Sequence, residues 1–421
     1  MENQRNWAGN YKYSTSRIHV PESLEEVQLA VSRCENLKVL GTRHSFNSIA
    51  DSTEDLISTE HLNRVVSLDR KHQTVTVEAG IKYSDLCSYL QSAGYGLQNL
   101  ASLPHISVAG ACATGTHGSG DQNRSLASAV CAMEVVTASG DVVHFSRDST
   151  KEIMDGVVVN LGGLGVVTKM TLDVVPEFQM RQDVYENLPF SNLLKNFDDI
   201  VSSAYSVSLF TDWRTDSFNQ VWLKHRLTDQ ESFDLKPSLF GAPLATENKH
   251  PVPGQEIENC TEQMGITGLW HERLPHFKMD FTPSSGKELQ SEYIIPRRHI
   301  YEALSAISEL GEDIAPLLQI SEIRTIAKDT LWMSSCYRQD SVAIHFTWKD
   351  DWDGVKKVLP KIEEKLAPFH ARPHWGKLFT LPPEQVISLY EKLPDFKQLL
   401  QHYDSKGKFR NAFLNTYIFG E

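Results

Sequence analysis

The run from Ala101 to Gly120 restricts the possible folds of this chain more than any other segment. It reads Ala-Ser-Leu-Pro-His-Ile-Ser-Val-Ala-Gly and, after Ala-Cys-Ala, Thr-Gly-Thr-His-Gly-Ser-Gly. Small side chains and hydroxyls leave successive backbone N–H groups open to approach, the requirement for lining an extended anionic group such as a diphosphate. A tight structural crossover has the same composition, so the neighbouring segments matter. Upstream, Ser23-Leu24-Glu25-Glu26 is a capping box, with Ser23 as N-cap and Glu26 reaching back, ahead of Val27, Ala30 and Val31 at helical spacing. Leu37–Leu40 is a short strand that runs straight into Gly41, and Thr74–Gly80 alternates with period two. Ser84–Ala93 forms a helix with Leu86 and Leu90 inward, which Gly94 terminates. Val135–Ala138 and Val142–Phe145 flank Ser139-Gly140-Asp141 as a hairpin.

Around Pro176 the pattern changes. Ser206–Phe210, Val221–Leu223, Gln319–Arg324 and Val342–Thr347 read as strands, with helices such as Arg297–Leu310 between them. Long connections of this kind predict an α+β arrangement on an antiparallel sheet, with residues 226–290 forming long loops over it. A chain of 421 residues exceeds the size at which one core stops growing, so two domains, or one with a large insertion, are expected.

Charge and targeting signals narrow the function. The chain carries 41 basic and 54 acidic residues, a net −13, and its field repels nucleic acid and anionic membranes. No stretch is apolar for long enough to span a bilayer, and the opening residues lack a secretory core, so a cytoplasmic protein is expected. The six cysteines are scattered, as for reduced buried thiols. A monomer is the default, because no exposed apolar stripe announces an interface.

Several familiar sites fail on spacing. Gly118–Asn123 and Gly163–Thr168 each lack the third glycine of the dinucleotide fingerprint. His271-Glu272-Arg273-Leu274-Pro275-His276 has the wrong interval for a helical zinc pair, and Pro275 would break the helix, so no metal is expected. Neither a Walker phosphate loop nor a nucleophile elbow is present.

Gly41-Thr42-Arg43-His44-Ser45-Phe46 places a histidine in a turn directly after a strand. Alone, such a histidine is a structural hydrogen-bonder. With the glycine loop, the order resembles the vanillyl-alcohol-oxidase type of flavoprotein, in which two α/β subdomains enclose FAD and a histidine of this first loop often tethers it. In that family glycine commonly precedes the histidine; here Arg43 does. Ser321-Glu322-Ile323-Arg324-Thr325, Ala343–Trp348 and Arg372-Pro373-His374-Trp375-Gly376-Lys377 are similar to the substrate-side motifs of the alditol oxidases, as are Asn6–Asn10 and Ser291-Glu292-Tyr293 after Gln290. The His-Trp-Gly-Lys stretch is shared with sugar-lactone oxidoreductases.

This resemblance implies a FAD-binding domain over 1–180, a substrate domain over 181–370 with a largely antiparallel sheet flanked by helices, and a segment 371–421 returning to the flavin. It implies covalent FAD on His44, with Gly41, Thr42, Arg43, Ser45, Phe46, Ser102, Ser107, Gly110, Thr114, Gly115, Thr116, His117, Gly118, Val167 and His374 around the cofactor. The implied reaction is oxidation of a primary alcohol of xylitol or sorbitol, with oxygen going to hydrogen peroxide.

Residue spacing supports part of this independently. Side chains two apart on a strand face the same way, so Glu322 pairs with Arg324 and His345 with Thr347. Each pair alone is compatible with a solvated ion pair or a satisfied core histidine; together with Lys377 they suit a polyol site. Arg324 and Lys377 are the expected positive charge beside a developing alkoxide, and His345, aided by Glu322, the proton acceptor. Ser102, Gln290 and Thr347 are expected to hold the other hydroxyls. The competing readings are an aldonolactone oxidase or dehydrogenase, and a polyol- or flavin-binding protein without turnover.

Overall fold

Ser23 accepts the Glu26 N–H and starts the helix Leu24–Arg33 in the computed structural model, which describes residues 4–227, 235–281 and 288–421. The Glu26 carboxylate reaches back one residue further than expected and takes the Glu22 N–H. The buried stripe Val27, Ala30 and Val31 packs on Leu37, Ile57, Val136 and Val166. That stripe seats the helix beside a three-stranded parallel sheet in the order Ile18–His19, Asp55–Ser58, Leu37–Leu40.

A second sheet is antiparallel, with five strands in the order Val65–Asp69, Thr74–Glu78, Val166–Asp173, Val130–Val136, Val142–Ser146. The expected hairpin lies at its edge, and the 130–136 strand begins well ahead of Val135. Gly94 ends the helix Tyr83–Ser92 with a left-handed φ of 82°.

The remaining large element is an eight-stranded antiparallel sheet in the order 268–269, 179–189, 217–226, 206–211, 318–326, 341–349, 288–296, 372–373. Its two faces differ in chemistry because alternate residues point opposite ways. Leu289, Ile295, Ile323, Ile344, Phe346 and Trp348 bury one face against the helices Phe190–Val201, Ile300–Ser308 and Trp352–Leu366. Deleting one such side chain, as in Ile344→Ala, costs about 2–5 kcal/mol. Gln290, Glu292, Glu322, Arg324, His345 and Thr347 occupy the opposite face, toward the small-residue loop. The expected loops over this sheet are found between 227 and 281, with only two-residue strands and a short 3-10 turn; 228–234 and 282–287 of the expected stretch lie outside the described residues. Gln290 itself belongs to a strand. All six cysteines are unpaired. Among the described residues no helix is long and apolar enough to cross a membrane.

Candidate active site

A cavity of about 550 Å³ opens between the loop 41–46, the small-residue run and the polar face of the large sheet. The strand Leu37–Leu40 delivers the first loop to it, and Phe46 N–H to Gly376 O (2.7 Å) ties that loop to the C-terminal segment. Arg43 has a left-handed backbone, φ 62°, the conformation glycine adopts at least cost. The turn is therefore preserved, and the arginine carries the strain. Thr42 Oγ1 accepts the Ser107 N–H at 3.1 Å, which locks the two loops together. A Cβ on Gly41 would run into Ser107 Oγ, and one on Gly110 would lie 2.8 Å from it, so a side chain at either position would displace the Ser107 hydroxyl.

His44 points into this cradle. Its ring stacks on Trp7, with centroids 4.9 Å apart, and lies 4.6 Å from His105. Neither of its nitrogens makes a hydrogen bond, although both are buried. Burial, with His105 nearby, lowers its pKa to about 3, so the ring is neutral. A buried imidazole with both nitrogens unpaired calls for a ligand, and an open nucleophilic nitrogen beside a glycine cradle fits a flavin. Gly41–Phe46, Ser102, Ser107, Gly110, Thr114, Thr116, His117, Val167 and His374 all line the cavity. Gly115 and Gly118 do not: Gly115 makes a turn at φ 68°, and Gly118 sits tight against Asn99 and Leu100. Both shape the loop from behind.

Opposite the cradle, strand register assembles the polar groups. Glu322 and Glu292 each sit directly across from His345, and Gln290 across from Thr347. Glu292, which sequence reasoning quoted without a role, is the hub. Its Oε1 accepts from Arg324 Nη2 at 2.6 Å, its Oε2 from Lys377 Nζ at 2.8 Å, and His117 Nε2 lies 3.4 Å away. The rule of two that paired Glu322 with Arg324 pairs Gln290 with Glu292, so the signal was there. Burial alone would raise the Glu292 pKa; Lys377, His117 and Arg324 outweigh it and hold the carboxyl well below its usual range.

Lys377 also donates to His345 Nδ1 at 2.9 Å, and His345 Nε2 lies 3.1 Å from Thr347 Oγ1. Burial, followed by Lys377, drives the His345 pKa well down. Glu322 makes no hydrogen bond to His345; it acts on the ring only through its charge, which raises the His345 pKa against burial. Its Oε1 meets His276 Nε2 at 2.8 Å and its Oε2 faces Arg324 Nε at 3.5 Å. Against burial, Arg324 and His276 keep Glu322 ionised. Ser102 Oγ is 3.5 Å from Arg324 Nη1, and Gln290 Nε2 donates to Glu288 at 2.6 Å. His276 and Lys224 take no site role from the sequence, because only the fold brings them here; Glu288 lies two before Gln290 on one strand, so the rule of two reaches it.

Two stretches of the chain match known families: residues 15–146 the FAD binding domain, and residues 281–417 D-arabinono-1,4-lactone oxidase. The alditol oxidase of a Streptomyces species is 45% identical over 99% of each chain. The L-gulonolactone oxidase of Scyliorhinus torazame is 25% identical over 98% of each. Among solved structures, cholesterol oxidase from B. sterolicum superposes with a TM-score of 0.79 at 13% identity, covering 98% of this chain and 96% of that one, a likeness of fold. Cradle, polar sheet face and full-length identity converge, and the chain belongs to the alditol oxidase family of FAD-dependent oxidoreductases.

Proposed function

We propose that this protein oxidises the terminal primary alcohol of linear polyols such as xylitol and sorbitol to the aldose, with FAD attached to His44 and oxygen reduced to hydrogen peroxide. The observation that carries this reading is the Arg324, Lys377 and His345 cluster around buried Glu292, facing the cavity that His44 enters from the other side. When bound, FAD supplies the two-electron acceptor and passes the electrons on to oxygen.

The residues would divide the work as follows. Lys377 has one N–H on Glu292 and one on His345 Nδ1, and a third is free for the reacting hydroxyl. As that hydroxyl loses its proton to His345 Nδ1, Lys377 turns the freed N–H onto the alkoxide oxygen, so no donor is stranded. Glu292 Oε1, 3.9 Å from His345 Nδ1, steadies the imidazolium. Arg324, neutralised on one edge by Glu292, adds fixed positive charge at the oxygen. Glu322, kept anionic by Arg324 and His276, accepts a hydrogen bond from the neighbouring hydroxyl. Ser102, Gln290 and Thr347 hold hydroxyls further along the chain, which favours polyols over short alcohols that would leave these groups unpaired.

In this reading residues 1–180 hold the cofactor, 181–370 the substrate, and 371–421 return Trp375 and Lys377 to the first loop, where both carbonyls accept from Asn47. The test is an absorption spectrum before and after acid precipitation, then xylitol added without oxygen. Yellow that stays with the pellet and bleaches with xylitol is expected. Flavin released to the supernatant would remove His44 as the tether, and His44→Ala should release it. A higher rate on a sugar lactone than on xylitol would replace the substrate class.

A further inference from the structure

His276, discarded above as half of a failed zinc pair, lies in the cavity wall with Lys224 directly behind it. Lys224, on the strand Ser217–Arg226, is 1% exposed. Its Nζ donates to Leu274 O at 2.6 Å, Pro275 O at 2.9 Å and His276 Nδ1 at 3.2 Å. Burial lowers the Lys224 pKa to about 7, so the amine alone does not fix the tautomer; Glu322, held as a carboxylate by Arg324 and His276, can only accept, and Nε2 must donate to it. The neutral ring then carries its one proton on Nε2, which points at Glu322 Oε1, 2.8 Å away. Phe210 and Trp222 hold the imidazole edge-on at centroid distances of 5.5 and 5.2 Å, so it cannot turn over without repacking.

We infer that Lys224 and His276 are positioning residues that fix the donor end of the imidazole on Glu322, so that the other carboxylate oxygen is presented to a substrate hydroxyl in one orientation. The chain of donors runs one way, from Lys224 Nζ to the bare Nδ1 and from Nε2–H to the carboxylate. It also pins the loop 274–276, which has no regular structure, to the sheet. Burial lowers the His276 pKa to about 4, so the ring stays neutral and keeps this polarity at working pH. Neither side chain reaches the reacting atoms; both act through Glu322. The inference rests on the polyol reading above.

Glutamine reproduces the polarity of this tautomer, with an amide oxygen toward Lys224 and an amide N–H toward Glu322; leucine does not. His276→Gln is expected to keep kcat and KM for xylitol within about threefold of the parent. His276→Leu and Lys224→Met are expected to raise KM at least about tenfold while kcat falls less than about threefold, the pattern for lost ground-state binding. A readout that needs no turnover accompanies these: ¹⁵N histidine spectra, with His276 assigned by its loss in His276→Gln, should show Nε2 protonated and Nδ1 bare. Equal loss in His276→Gln and His276→Leu, an unchanged KM in folded Lys224→Met, or a proton on Nδ1 would each overturn the inference. Failure of the parent enzyme to oxidise xylitol would sink the substrate reading alone, because the tautomer is decided by the nitrogen spectra.

Discussion

Lys377 illustrates how much one side chain does here. It spans Glu292 and His345, and in the proposed reaction its remaining N–H serves the oxygen on which charge develops. Lys377→Met, similar in length but without the charge, should lower kcat/KM for xylitol at least about a hundredfold with the fold intact, read by steady-state peroxide release. The histidines set a second expectation. His44 and His374 have pKa values lowered to about 3 by burial, and His345 is likewise well below its ordinary value. A depressed pKa keeps the ring neutral until the pH falls far below the usual histidine range, and neutral His345 is the form that accepts a proton. The value of kcat/KM should therefore show no acid limb near pH 6.5, where an ordinary histidine base would halve it. A limb at pH 6.5 would remove His345 from the role.

At the level of elements, the short parallel strand Leu37–Leu40 is held by a buried cation. Lys38 Nζ donates to Leu161 O at 3.1 Å, Gly162 O at 2.9 Å and Phe409 O at 3.2 Å, three carbonyls from segments remote in sequence. Lys38→Met fills the same space but leaves those carbonyls unpaired. It should cost about 2–4 kcal/mol in denaturant unfolding, with fractional flavin occupancy falling because the strand feeds the 41–46 loop. Near-parental stability in this variant would show that water satisfies the carbonyls. Capping residues and strand alternation were legible because both are local rules: Ser23 caps its helix, and Glu322, Arg324, His345 and Thr347 share the face their spacing assigned. The partner of Glu322 was not legible, since choosing between His345 and His276 depends on how a loop packs against a neighbouring strand.

For the whole molecule, one cavity is walled by the first loop, the small-residue run and the polar face of the eight-stranded sheet, so anything filling it joins elements that otherwise meet at a gap. Flavin binding should raise the melting temperature of flavin-free His44→Ala by at least about 5 °C at saturating FAD, measured by scanning calorimetry. No shift would mean that the cradle binds too weakly without the tether to hold the walls together.

Local chemistry settled much of this protein in advance. Glycine spacing dictated a close backbone approach, period-two patterning dictated which side chains share a sheet face, and the family motifs named the cofactor. Tertiary structure alone decided the electrostatics: which carboxylate became the hub, which histidine tautomer is held, and which carbonyls a buried lysine satisfies. Those outcomes depend on distances of a few ångströms between residues separated by tens to hundreds of positions. Coulomb and hydrogen-bond energies vary steeply over that range, and no spacing rule along the chain encodes it.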